Sequence, residues 1–450
     1  MPLISSRWLA AASLALAALA PARPRYGETL RVQMSAVIQT PDPAEWPADP
    51  VEAAAKARLI SMVFEPLVKL DDSGRPQPAL AISWRQDNGG RRWQFRLRPG
   101  VKFHDGTPLT AAVAAAALGA RGYSTVGTGE TISIQSEKPL PDLPRELAQP
   151  RNAIVNRTPE GALAGTGPFR LADWTRARRA ALAAFEDYWS GRAYLDAVEI
   201  AMNRPPREQM LDIELGRADL VEIPIAEHRR AQQRNLRLWT SNPSELMAIL
   251  FERNRPTVQD ARLREILGLA VDRGAMHAAL LQRLGEPTGA LLPQWISGHA
   301  FLFAPARDLA RARQLLPTGQ TPLQLACEAT DPLARLIADR IALNAREAGL
   351  TVRVVTTAAE PDLRLVRLPV TSANAVEALE ALGQAHELSG EPTPESLYRT
   401  ERRLLAEQWI VPLFHVPVIF GLSPRLRNWM PSRSGAWKLE DVWLSLAEKP

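Results

Sequence analysis

Alternation of apolar and polar positions divides much of the chain into short strands and amphipathic helices. In WQFRLRPGVKFHDGTPLTAAV (93–113), Trp93, Phe95 and Leu97 alternate with Gln94, Arg96 and Arg98, the period of a half-buried strand. Pro99-Gly100 predicts a turn, Val101 and Phe103 resume the alternation, and Asp105-Gly106 predicts a second turn. Thr110 is placed to cap the alanine-rich helix that follows. His104 and Asp105 are neighbours at a strand end, so their side chains start in opposite directions. A general base and its orienting carboxylate must instead converge near a nucleophile. The stretch therefore reads as a turn.

A second region, TPLQLACEATDPLARLIADRIALNAREAGLTVRVVT, predicts strand, helix and strand. Asp331 is an N-cap candidate with Pro332 at the first helical position, and Gly349 is a stop. Leu333, Leu336, Ile337 and Ile341 are assigned to one buried helical face, and TVRVV closes a βαβ unit with a parallel strand pair. Further helices are predicted at about 205–217, 259–285, 306–316 and 394–408, and strands at TLRVQM, TISIQ, LDAVEIAM and LMAILF. No internal repeat is visible.

The 450 residues suit two or three domains, and 46% hydrophobic with 23% charged residues is a globular composition. At the N-terminus MPLISSR carries a positive charge, WLAAASLALAALA is a short apolar run, and Ala20-Pro21-Ala22 offers small residues. Together they predict a secretory leader over 1–22, cut after Ala22, and a mature protein in the periplasm without a lipid anchor; a retained anchor is the alternative. Cys327 is the only cysteine, so the exported chain has no internal disulfide, and its apolar setting reads as a small buried hydrophobe. The formal charge of +5 is scattered rather than blocked, which gives no support to nucleic-acid binding.

Motifs for catalysis and metal binding are missing. HExxH, the G-x-S-x-G elbow and paired cysteines are absent, and the histidines at 104, 228, 277, 299, 386 and 415 do not fall at metal-ligand spacing. VGTGET lacks the Lys-Ser/Thr end of a phosphate loop and reads as a turn before TISIQ. Neither a metal nor a cofactor is expected.

Several stretches in order nevertheless resemble one family, the extracellular solute-binding proteins of family 5, which serve ABC importers of dipeptides, oligopeptides and nickel. They are SMVFEPLVKLDDSGRPQPALAISW, the opening segment, GTGPFRLADW, AFEDYWSGRAYLDAVEIAM, LGRADLVEIP, FERNRPTVQDARLREILGLAVDRGAM, APARDLARARQLL and ESLYRTERRLLAEQWIVPLFHVP. The resemblance implies an α/β, two-lobed, periplasmic binding protein-like fold of type II, cluster C, with discontinuous lobes joined by hinge strands. Lobe I would take 23–248 and the returning tail 424–450; lobe II would take 249–423. The implied activity is capture of a peptide or peptide-like solute by closure of the lobes, without catalysis. The implied partners are that solute and an ABC permease with its ATPase, and the receptor would be a monomer.

The chain also departs from the family pattern. It is short between Val113 and Gly165, and the usual acidic pair before Val113 is missing. Arg367 and Leu368 stand near the family's Gly-Trp, and no acidic residue follows until Glu377, where peptide-binding members supply a carboxylate for the peptide's ammonium group. An anionic non-peptide solute, or a sensor of the same fold that has lost transport, therefore stays open beside peptide binding. A periplasmic hydrolase would rest on His104 and Asp105 alone. Candidate ligand contacts are Gln39 after the first strand, Asn254 after LMAILF, Trp295 in LLPQWISG, and Arg367.

Overall fold

The computed structural model describes residues 23–446, apart from 159–160, 306, 329–330, 357–359, 371, 373, 383–392, 434 and 436. The leader expected over 1–22 and His386 lie outside the described residues.

One mixed sheet runs through the molecule. Numbered in chain order, its long strands are β1 (Thr29–Gln33), β2 (Phe169–Thr175), β3 (Arg179–Ala184), β4 (Ala197–Ala201), β5 (Leu220–Glu222), β6 (Arg237–Phe251), β7 (Leu323–Ala326), β8 (Val352–Val355), β9 (Leu363–Pro369) and β10 (Ile410–Leu422). They lie in the order β2-β3-β4-β1-β5-β10-β6-β9-β7-β8, with Glu286–Pro287 as a short extra strand on β10. Strand β1 runs parallel to β4 and β5, and β7 parallel to β8 and β9. Two α/β halves are thus stitched together by the antiparallel pair β6 and β10.

LMAILF forms the end of β6 as expected, whereas β10 is the least readable strand from sequence. Nearly every residue of IVPLFHVPVIFGL in β10 is buried, so polar alternation is lost, and Pro412 and Pro417 argue against a ladder strand. The pairing absorbs them through register shifts: Pro243 of β6 stands opposite Pro417, and another shift lies beside the Ala248–Pro412 pair.

Apolar clusters show which segments pack together. Leu30, Val32, Leu59, Phe64 and Phe169 join Phe420, Trp437 and Leu444, bringing the C-terminal segment back onto the N-terminal half. Ile249, Ile266, Leu325, Ile337, Leu365 and Phe414 form the core under the second half. A third cluster fills the space between a four-stranded sheet of residues 81–135 and the helix Ala111–Gly119, which Thr110 caps by accepting the Val113 N–H. In that sheet Ser124–Thr128 and Thr131–Gln135 form a hairpin, so VGTGET is a turn as expected.

The expected βαβ unit is present. Asp331 accepts the N–H groups of Leu333 and Ala334 at the start of the helix Pro332–Glu347, and Gly349 follows in the left-handed region with φ 92°. One assignment needs correction: Leu336 is 54% exposed. At roughly 100° per residue it lies about 130° from the centre of the buried stripe, which extends instead over Ala334, Ala338 and Ala345. The single helix expected at 259–285 is two helices, Ala261–Ala270 and Arg273–Ala279, because Val271 is extended and Asp272 caps afresh on the Ala275 N–H. Helix α1 (Pro50–Val63) went unread although Asp49 caps the Glu52 N–H and Pro50 starts it. Its Lys56 is fully buried and donates to the Glu45 carbonyl at 2.6 Å, while burial lowers its pKa.

The HDG stretch is a structural turn. The Gly106 N–H donates to the Phe103 carbonyl, and Asp105 accepts the Thr107 N–H and hydroxyl at 2.9 and 2.6 Å. His104 Nδ1 accepts the Gly165 N–H at 3.2 Å, so the proton belongs on Nε2, which donates to the Gly167 carbonyl at 3.0 Å. The acid and the imidazole thus serve separate partners. A Cβ on Gly165 would come within 2.0 Å of the Val63 carbonyl oxygen at the end of α1 and 2.7 Å of Phe64 Cδ1. Gly165→Ala is expected to cost about 1–3 kcal/mol through backbone displacement, read as a lowered urea midpoint; an unchanged midpoint would contradict that packing.

Candidate functional site

The two halves face one another across a cavity of about 290 Å³. One wall is the inner face of α1 with the segment after it: Arg58, Ser61, Phe64, Glu65 and Lys69. The crossing strands supply Trp239, Ser241, Ser244 and Glu245 from β6 and Phe420 from β10. The end of β9 adds Pro369 and Val370, and the C-terminal segment adds Trp437, Lys438 and Glu440. Residues widely separated in the chain therefore meet only after folding. Helix α1 packs close to β9, and the Gln149 side-chain amide donates to Glu377 at 2.5 Å, so the opposing walls touch directly.

An aromatic and cationic corner dominates the cavity chemically. The Arg58 guanidinium carbon lies 5.5 Å from the Phe420 ring centre and 5.6 Å from that of Trp437, within cation–π range. Its Nη1 donates to Glu222 Oε1 at 3.1 Å, and Glu222 Oε2 accepts the Ser35 N–H at 2.8 Å. Trp437 packs edge-on to Phe420 and Trp429. Ser61 bonds the carbonyls of Arg58 and Trp437, tying α1 to the C-terminal segment.

Two acids line another part of the wall. Glu65 accepts from the Thr166 hydroxyl at 2.8 Å, the Tyr188 hydroxyl at 3.1 Å and the Trp189 N–H at 2.9 Å. Burial nonetheless raises its pKa, against those three bonds, and nearby Glu440 adds to the rise. Glu440 is itself raised by burial, with Lys438 and Lys69 pulling the other way.

None of the four residues expected as ligand contacts lines this cavity. The Gln39 N–H donates to Glu52 at 2.7 Å, and its side-chain oxygen accepts from Arg176 at 2.8 Å. Asn254 is exposed in the turn after β6. Trp295 donates its indole N–H to the Pro243 carbonyl at 2.7 Å, bracing the back of β6. Arg367 is half-buried and forks onto Glu245, whose charge raises the guanidinium's pKa further. Trp295 and Arg367 thus contact β6 beside the cavity, while Gln39 and Asn254 lie elsewhere. The cavity residues Arg58, Glu65, Trp239 and Trp437 were not singled out from sequence.

Two packed α/β halves, paired crossing strands and a cleft lined from both sides define a two-lobed binding protein. The chain belongs to the bacterial extracellular solute-binding proteins, family 5, whose middle-region model matches residues 75–120 and 123–377. Nickel-binding protein NikA of Staphylococcus aureus is 26% identical over 245 residues, covering 50% of this chain and 49% of that protein. Oligopeptide-binding protein AppA of Bacillus subtilis is 23% identical over 273 residues, covering 52% and 48%. The chain spans about half the length of these curated relatives. The ABC transporter-associated periplasmic binding protein DppA of Helicobacter pylori, solved with the peptide STSA, shares the fold with a TM-score of 0.78 at 18% identity, covering 94% of this chain and 99% of that one. The family is one of solute-binding proteins rather than enzymes. Among the described residues no helix is long and apolar enough to cross a membrane.

Proposed function

We propose that the chain is the periplasmic receptor of an ABC importer, which captures a small solute between its lobes and presents it to a membrane permease. The observation that carries this reading is the cavity lined from both halves and bounded by the crossing strands. In this reading the leader is removed after Ala22, the mature chain works as a monomer, and residues 23–248 with 424–450 close against 249–423 around β6 and β10. Ligand contacts made on both walls favour the closed arrangement by their differential affinity.

The size of the cavity narrows the solute. At about 290 Å³ it lies near the lower end of small-molecule pockets, roughly 300–1,000 Å³, and suits a dipeptide-sized solute better than a long peptide. The relatives' names span nickel, oligopeptides and a tetrapeptide complex, so kinship alone does not choose among them.

Mature protein purified gently from a periplasmic extract should release a bound solute on denaturation, identified by native mass spectrometry. Adding that solute back at a hundredfold its Kd should raise stability by about 2.7 kcal/mol and compact the particle in small-angle scattering. A released solute that changes neither quantity would overturn the reading.

A further inference from the structure

We propose that Arg58 is the anchoring residue of the cleft and that it selects solutes carrying a carboxylate on an apolar or aromatic body. This assignment rests on the cleft being the solute site. Among the described residues Arg58 uses only Nη1, on Glu222, and its side chain is 13% exposed at the cavity wall. Glu222 is held from its other oxygen by the Ser35 N–H, so it fixes the roll of the guanidinium. Phe420 and Trp437 flank the same group at 5.5 and 5.6 Å. A guanidinium has five N–H donors in a rigid fork. With Nη1 occupied, the edge formed by Nε and Nη2 is left, and that edge matches the two oxygens of a carboxylate.

Three acids at the wall are already engaged. Asp71 is bound by Arg75, and Glu245 by Arg367. Glu65 is satisfied by three neutral donors. Lys69, Arg433 and Lys438 are cations at the wall too, but they are exposed. Arg58 differs from these exposed cations in being a largely buried, pre-oriented fork beside aromatic surface, where Trp239 also packs on Phe420 at the cavity wall. A desolvated, pre-oriented fork pays little ordering entropy on binding and discriminates sharply against a neutral amide.

The test pairs each acid with its primary amide: dipeptides ending in Phe, Leu or Ala, and 3-phenylpropanoate. Isothermal titration and melting curves are run on the mature chain and on Arg58→Gln and Arg58→Lys, with circular dichroism confirming that both variants fold. Acids that bind at least tenfold better than their amides, a preference abolished in Arg58→Gln and only reduced in Arg58→Lys, are the expected result. A carboxylate in the solute released from periplasmic protein is expected as well. Amides that bind as well as acids, a preference that survives Arg58→Gln, or a released solute without a carboxylate would each overturn the assignment and leave the receptor reading standing. Protein that neither carries a solute from the periplasm nor binds any probe would overturn both.

Discussion

Glu401→Ala should lower stability by about 3–5 kcal/mol, the range for losing one partner of a buried polar constellation. Glu401 lies on the helix Pro394–Glu407 and is fully buried. Its Oε1 accepts the backbone N–H groups of Leu291 and Leu292 at 2.6 and 3.0 Å, and its Oε2 lies 2.8 Å from His299 Nε2. Truncation leaves two buried N–H groups without an acceptor and opens a void against the His299 and Tyr398 rings, which pack edge to face. His415 on β10 lies 3.1 Å from the Leu291 carbonyl, so the same loop is held from two directions. Since that loop carries Trp295 onto the Pro243 carbonyl, its loss also loosens one side of a crossing strand. Urea unfolding followed by circular dichroism measures the cost. Glu401→Gln keeps an oxygen for the two N–H groups and should lose less than half as much; equal losses would mean that shape rather than hydrogen bonding holds the loop.

What the sequence could show follows from how far apart the interacting residues are. Local rules were sufficient where a strand, cap or turn is decided within a few residues: Thr110, Asp331 and Gly349 sit as their chemistry requires. Longer-range packing defeated them in β10, where burial on both faces erases alternation and two prolines are tolerated only because β6 shifts register opposite them. Helix α1 had a legible cap but no single polar stripe, since it even buries Lys56.

The cleft was still less legible. Arg58 is meaningful because Glu222 lies beside it, 164 positions along the chain, and because Ser61 reaches the Trp437 carbonyl across 376 positions. Neither pairing has a local signature. The ordered family segments did point to a two-lobed binding protein, and the expected contacts were placed after strands and in the loop LLPQWISG, outside the lining of this cavity. Arg367 shows the difference: named from its place in the sequence as a ligand contact, it is paired with Glu245, an acid on the neighbouring strand.

Acid should destabilise the fold through two buried histidines. Burial pushes the pKa of His104 down to about 4, although its bond to the Gly167 carbonyl favours the protonated form. His415 is pushed to about 4 by its burial in β10. In the unfolded chain both titrate near 6.5, so each contributes stability that is complete above pH 6.5 and is lost as pH falls toward 4. The full loss is about 3 kcal/mol per histidine, from 1.36 kcal/mol per pKa unit. The raised carboxyls Glu65, Glu377 and Glu440 act with the opposite sign, because protonating them in the folded state relieves a buried charge. A single acid titration of the native protein therefore mixes the two effects, and variants must separate them. His104→Gln can still donate to Gly167 and lacks the titration, so its stability relative to the native chain should improve by about 2.5 kcal/mol between pH 7.5 and 4.5. A parallel pair of stability curves over that range would mean that His104 titrates in the fold as it does in the unfolded chain, so that burial does not hold it neutral.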